Sequence, residues 1–233
     1  YILRETGERK ERYTRVINTF GMSESALDEK VQRIIKPDQN LSYSTLVKNG
    51  IVSIRTTLCN TDKIKANSIL DNIEEEVCRE LGVYVYSKRD ETLESTISEI
   101  FTEKAITLAV AESCTGGLVS NLLTNVQGSS AFFLGGIVSY SNKVKENLLN
   151  VPEKLINEFG VISAEVAKAM ASGARERIQA DIGLAITGIA GPTGVDGNVD
   201  REKPVGLVYV ATAINDELEC KEYSLFGSRI DIK

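Results

Sequence analysis

Two apolar runs, residues 106–111 (Ile-Thr-Leu-Ala-Val-Ala) and 182–187 (Ile-Gly-Leu-Ala-Ile-Thr), constrain the fold more than any other feature of the chain. Neither shows the polar–apolar alternation of a strand with one wet face. Strands of this kind are buried on both faces and are covered by helices above and below. Helical patterns lie between the runs. One has Leu118, Leu122, Leu123 and Val126 inward, one starts at 143–149, and a short one spans 152–159 with Pro152 near its start and Gly160 past its end. Ser163 is placed to cap a longer helix, 164–179, lined by Val166, Met170, Ala174 and Ile178. Residues 136–140 read as a strand, and 205–214 with 218–226 as a hairpin across Asn215-Asp216. The alternation predicts an α/β fold, a layered domain with a mixed sheet.

Residues 1–90 read as a separate small α/β unit. Ser23 caps a helix through Ile35, residues 51–58 form a β-branched strand, and a helix runs from 63 to 81 with Gly82 at its C-terminal cap. Residues 83–86 are expected to form a short strand. The charged segment Ser87-Lys88-Arg89-Asp90-Glu91 marks the expected boundary, so the domains are 1–90 and 91–233, with a short helix at 93–101. The first residue is Tyr1 rather than Met, and nothing ordered closes the chain after Arg229, so we expect an excerpt of a longer protein.

Composition bounds the partners. A net charge of −6 argues against a broad nucleic-acid surface. The basic stretch with Arg4, Arg9, Lys10, Arg12 and Arg15 reads as a solvated edge strand or linker. No apolar run has membrane-spanning length. Cys59, Cys78, Cys114 and Cys220 form no CxxC, and there is no histidine, so no metal site is expected. Reduced, buried thiols fit a cytoplasmic protein.

The missing histidine also narrows any chemistry. Glu112-Ser-Cys-Thr-Gly-Gly117 follows the first buried strand, where ligands gather in open α/β sheets. The turn reads equally as a helix cap with two packing glycines and as a nucleophile beside anion-binding amides. Without histidine, Ser113 needs a lysine or tyrosine as its base. At about 100° per residue, Lys145 shares the buried face of Val144, Leu148 and Leu149, whereas Lys143 points away. Desolvation would make Lys145 a usable base; the competing reading has it cover the core with its stem and keep its amine wet. Cys114 is a rival nucleophile without an evident base. A second loop, Thr187-Gly-Ile-Ala-Gly-Pro192, follows the other buried strand, and its acidic extension (Asp196, Asp200, Glu202) reads as solvated.

Taken together, Ala111-Glu-Ser-Cys-Thr-Gly-Gly117, Gly128-Ser-Ser130, Tyr140-Ser-Asn-Lys-Val-Lys145, Gly160-Val-Ile-Ser163, Thr187-Gly-Ile-Ala-Gly-Pro192 and Lys203-Pro-Val-Gly206 resemble the CinA family. They resemble its C-terminal domain, and residues 1–90 resemble its KH-type middle domain. The resemblance implies bacterial pyridine-nucleotide salvage, in which the carboxamide of nicotinamide mononucleotide is hydrolysed to nicotinate mononucleotide and ammonia without a cofactor. It implies Ser113 as nucleophile, Lys145 as base and Tyr140 as a proton relay. It further implies Thr115, Gly116, Gly117, Thr187, Gly188, Gly191 and Arg229 as substrate-binding residues, with Arg229 on the nucleotide phosphate. A homo-oligomer and an N-terminal domain outside this chain are also implied. The alternatives are a competence- or damage-related interaction module, and nucleotide binding without turnover.

Overall fold

The structure, a computed structural model, describes residues 11–48, 50–192, 200 and 202–233. Its contacts divide the chain into two compact units, Tyr1–Thr96 and Ile97–Lys233.

The first unit is a four-stranded antiparallel sheet with two helices. In chain order it contains β1 (Arg12–Phe20), α1 (Glu24–Ile34), β2 (Leu41–Lys48), β3 (Ile51–Cys59), α2 (Lys63–Leu81) and β4 (Val85–Ser87). The sheet order is β2-β3-β1-β4. Ser23 and Asp62 cap the helices by accepting from the N–H groups of Ala26 and Lys65. Ile17, Val52 and Ile54 pack against Leu27, Val31 and Val77. The described part of the basic segment opens β1, where Arg12–Arg15 pair with β3 on one side while β4 reaches only Asn18 and Thr19, so this end of the strand is an edge; Arg15 pairs with Asp71 at 2.8 Å, and Arg4, Arg9 and Lys10 lie outside the described residues. Residues 82–84 form a 3-10 turn rather than the start of a strand, and leave Val83 exposed. Strand β2, absent from the sequence reading, pairs with β3 along its whole length.

The second unit begins in α3 (Leu93–Glu103), which supplies Ile97 and Phe101 to its core. It continues with β5 (Leu108–Glu112), α4 (Leu118–Thr124), β6 (Phe133–Val138), α5 (Asn142–Leu149), α6 (Glu153–Phe159), α7 (Ala164–Ile178), β7 (Ile182–Gly188), β8 (Leu207–Ile214), β9 (Glu217–Ser224) and α8 (Arg229–Ile232). The sheet order is β6-β5-β7-β8-β9. Strands β6, β5 and β7 are parallel, and β8 and β9 are antiparallel additions, so the sheet is mixed. All five residues of β5 are buried, as its apolar run requires.

The two faces of this sheet differ in kind. Ala109, Ala111, Ala185 and Ala211 face Val166, Ala167, Met170 and Ala174 of α7. Leu108, Val110, Ile186 and Val208 fill the other face with Leu123 and Phe132. Small residues let α7 lie close to the strands: a Cβ on Gly183 would stand 2.0 Å from the Ala171 carbonyl oxygen. The same closeness continues outward, because a Cβ on Gly173 would meet the Leu149 carbonyl oxygen at 1.9 Å. Helix α5 is thereby seated against α7, and α7 against the sheet. On the opposite face α4 buries only Leu123; Leu118 and Leu122, expected inward, are largely exposed.

The topology also dictates where a cleft opens. After β5 the chain passes to α4 on one face, and after its parallel neighbour β6 it passes to α5 and α7 on the other. Chains leaving adjacent strand ends in opposite directions leave a crevice at the carboxyl edge. Gly173→Ala is expected to push α5 outward and to cost roughly 2–3 kcal/mol, as overpacking does. Urea unfolding checks this, and a stability within 0.5 kcal/mol (about the range of a neutral surface change) would contradict the close seating.

Candidate active site

Both walls of the crevice are set by buried polar side chains. At the end of β5, Glu112 is fully buried. Its carboxylate accepts from the backbone N–H groups of Gly117 (2.9 Å), Val119 (3.1 Å) and Ser120 (2.8 Å), and from Ser120 Oγ (2.7 Å). Burial pushes its pKa up, but the hydrogen bonds from the Ser120 hydroxyl and amide and from Val119 outweigh that, and the net shift is downward. A carboxylate from the preceding strand thus caps α4. The helix's positive end is already neutralised.

This corrects the expectation of an anion site at the turn. The Gly117 N–H is committed to Glu112, and the Gly116 N–H donates to the Ser113 carbonyl. Thr115, Gly116 and Gly117 are not at the cavity. The glycines instead let the turn adopt left-handed backbone, with φ of +62° and +99°. The N–H groups of Cys114 and Thr115 donate to no oxygen among the described residues.

The other wall comes from α5. Ser141 caps it by accepting from the Val144 N–H, which places Lys145 one turn in, pointing back to β5. Lys145 is 1% exposed. Its Nζ lies 2.7 Å from the Ser139 carbonyl oxygen and 3.1 Å from Ser113 Oγ. Burial lowers its pKa from 10.5 to about 8; the nearby Cys114 thiol acts weakly the other way. Burial raises the pKa of Cys114, so the rival nucleophile is held as a neutral thiol. Lys143 is exposed.

The cavity between these walls has a volume of about 270 Å³. Ser113 and Lys145 border it, and Val161, Ile162, Ile189 and Ala190 supply its apolar lining. Gly188 and Gly191 also border it, and a Cβ on Gly188 would stand 2.7 Å from the Leu207 carbonyl oxygen. Tyr140 and Arg229 stand at the mouth. The Arg229 guanidinium donates to the Tyr140 hydroxyl (3.2 Å) and to the Gly191 carbonyl. No hydrogen bond among the described residues joins Tyr140 to Ser113 or Lys145, so the expected relay is absent from this arrangement. Thr187 is also displaced from its expected role: it is fully buried, off the cavity, and its hydroxyl donates to the Val161 carbonyl (3.0 Å). Asn142, Val161, Ile162, Ile189 and Ala190 line the cavity without having been singled out. Their signal was position, in the Tyr140–Lys145 and Gly160–Ser163 segments and the loop after Thr187.

Residues 90–233 match the CinA C-terminal domain, and residues 14–87 match the damage-inducible protein CinA KH domain. A CinA-like protein of Dictyoglomus thermophilum is 39% identical over 221 residues, which are 95% of this chain and 53% of that protein. A putative competence-damage inducible protein of Moorella thermoacetica is 40% identical, with 95% and 52% covered. The chain therefore spans about half the length of these curated relatives. Among solved structures, a competence/damage inducible protein from Agrobacterium tumefaciens superposes with a TM-score of 0.56 at 39% identity, over 60% of this chain and 84% of that one. A CinA superfamily protein from Escherichia coli gives 0.58 at 29% identity, over 63% and 85%.

The burial of Lys145 has a stability consequence with a definite sign. Below pH 8 both native and unfolded chains hold its proton, and the cost of burying the ammonium stands in full. Between about 8 and 10.5 the native amine has released its proton and the unfolded one has not, so stability rises with pH. Lys145→Met is expected to raise stability at pH 7 by up to about 3 kcal/mol, and by progressively less toward pH 10. Urea unfolding at the two pH values checks this; a variant less stable than the parent at pH 7 would contradict it.

Proposed function

The chain belongs to the CinA family, and we propose that it hydrolyses the carboxamide of nicotinamide mononucleotide to nicotinate mononucleotide and ammonia, with Ser113 as nucleophile and Lys145 as general base. The reading is carried by one observation: a buried lysine amine with a pKa near 8 lies 3.1 Å from a serine hydroxyl in a cavity. A lysine at its ordinary pKa is a poor base near neutrality; one desolvated to about 8 is neutral in about a tenth of molecules at pH 7. The Ser139 carbonyl aims the amine, so its free lone pair is available to the Ser113 hydroxyl.

In the proposed reaction, neutral Lys145 takes the Ser113 proton as Oγ attacks the carboxamide carbon. The resulting ammonium returns that proton to the amide nitrogen, the C–N bond breaks and ammonia leaves. Water then attacks the Ser113 ester, giving one proton to Lys145. The acid departs, and Lys145 returns the proton to Ser113 Oγ. The N–H of Cys114, which lines the cavity and donates to no oxygen among the described residues, serves the oxyanion. The amides of Gly116 and Gly117 are committed elsewhere. The apolar wall of Val161, Ile162 and Ile189 suits a flat ring, and the Arg229 fork at the mouth suits a phosphate.

Incubation of the chain with nicotinamide mononucleotide, with ammonia measured, is the test. Ser113→Ala is expected to lose at least roughly 10³-fold in kcat, Lys145→Ala to lose comparably at pH 7, and Lys143→Ala to stay close to the parent. Since the base must be deprotonated, kcat/KM is expected to rise with pH and level off above about 8. Substantial turnover by Ser113→Ala, or a greater loss from Lys143→Ala than from Lys145→Ala, would refute the assignment.

A further inference from the structure

The acidic residue expected to be solvated, Asp200, is 5% exposed, and what it holds lies at the cavity. Its Oδ2 accepts from the Val161 N–H at 2.8 Å and its Oδ1 from the Ile162 N–H at 3.3 Å. Lys203, one turn later in the same loop, donates from Nζ to Asp200 Oδ1 and to the carbonyls of Phe159 and Ile162, each at 2.8 Å. Gly160 has φ +82°, and a Cβ there would stand 2.3 Å from Asp200 Oδ1, so the carboxylate occupies the space a side chain would need. The remaining carbonyls of the turn are taken by the hydroxyls of Ser163 (from Gly160, 2.9 Å) and Thr187 (from Val161, 3.0 Å). The segment 160–162 has no regular secondary structure to fix it; side chains satisfy its backbone almost group by group.

We propose that Asp200 and Lys203 are positioning residues that clamp this segment so that Val161 and Ile162 form a fixed wall opposite Ser113 and Lys145, against which the ring of the substrate is bound. Neither residue touches the reacting atoms. The clamp acts on the amide and carbonyl of the very residues whose side chains line the cavity, so a loosened clamp moves the wall while leaving the Ser113–Lys145 pair in place. The ring-binding consequence rests on the amidase reading above; the clamp does not.

Two measurements separate them. Hydrogen exchange of a peptide covering residues 159–163 needs no substrate. In Lys203→Met, which leaves two carbonyls unpaired, and in Asp200→Asn, of nearly identical shape, exchange of the Val161 and Ile162 amides is expected to accelerate at least tenfold with β5 and α7 unchanged. With nicotinamide mononucleotide, KM is expected to rise at least tenfold with kcat within threefold, and with the pH limb near 8 retained. Lys203→Arg, which restores a cation and several donors, is expected to recover most of the KM. Unchanged exchange at 159–163 overturns the proposal, as does a loss confined to kcat. If Lys203→Met does not fold, Asp200→Asn decides alone. If the parent chain releases no ammonia, the amidase reading fails, and exchange still decides whether the clamp exists.

Discussion

A lysine amine held out of water between a backbone carbonyl and a serine hydroxyl is the interaction around which the second unit is arranged. An ammonium is costly to bury, and the fold accommodates it by lowering its proton affinity rather than by supplying a carboxylate. The buried carboxylate of Glu112 adjoins Ser113 in sequence but is spent on the amides of α4. Had it faced Lys145 instead, it would have raised the amine's pKa and removed its value as a base. The local division of labour is therefore electrostatic: one buried acid caps a helix, and one buried amine has no counter-ion among the described residues.

The rest of the architecture serves to keep that amine in register. Alanines on one face of β5, β7 and β8 bring α7 close, Gly173 brings α5 close to α7, and α5 carries Lys145. Each step depends on small residues, so the position of one nitrogen is transmitted from the sheet through two helix contacts. The opposite wall is built differently. There the backbone of 160–162 is irregular, and Asp200, Lys203, Ser163 and Thr187 replace the hydrogen bonds that a helix or strand would have made. One wall is fixed by packing, the other by side-chain hydrogen bonds.

These two modes explain what could be read from the residues. The layered α/β fold was legible, because an apolar run without alternation has few other uses, and helix periodicity put Lys145 on the buried face and Lys143 on the exposed one. Acids turned inward were not legible: Glu112 and Asp200 look like any surface acid until the amides they serve are in view. The same blindness assigned the Gly116 and Gly117 amides to a ligand, although a carboxylate one turn away had already taken that position. The family resemblance implies Thr187 at the substrate, but its hydroxyl is spent on the turn behind the cavity. In the first unit, β1 and β2 went unread because their inward positions include Thr19, Tyr43 and Thr45, which blur an alternation that β3 displays cleanly.

The most direct test of the account is the titration of Lys145 itself. Carbon-13 labelling at lysine Cε, with the Lys145 signal assigned by its absence from Lys145→Arg, reads the protonation state of this one amine against pH. The account predicts a midpoint near 8, well below that of the exposed lysines. A midpoint at the ordinary lysine value of about 10.5 would contradict it, because an amine that keeps its proton cannot take one from Ser113.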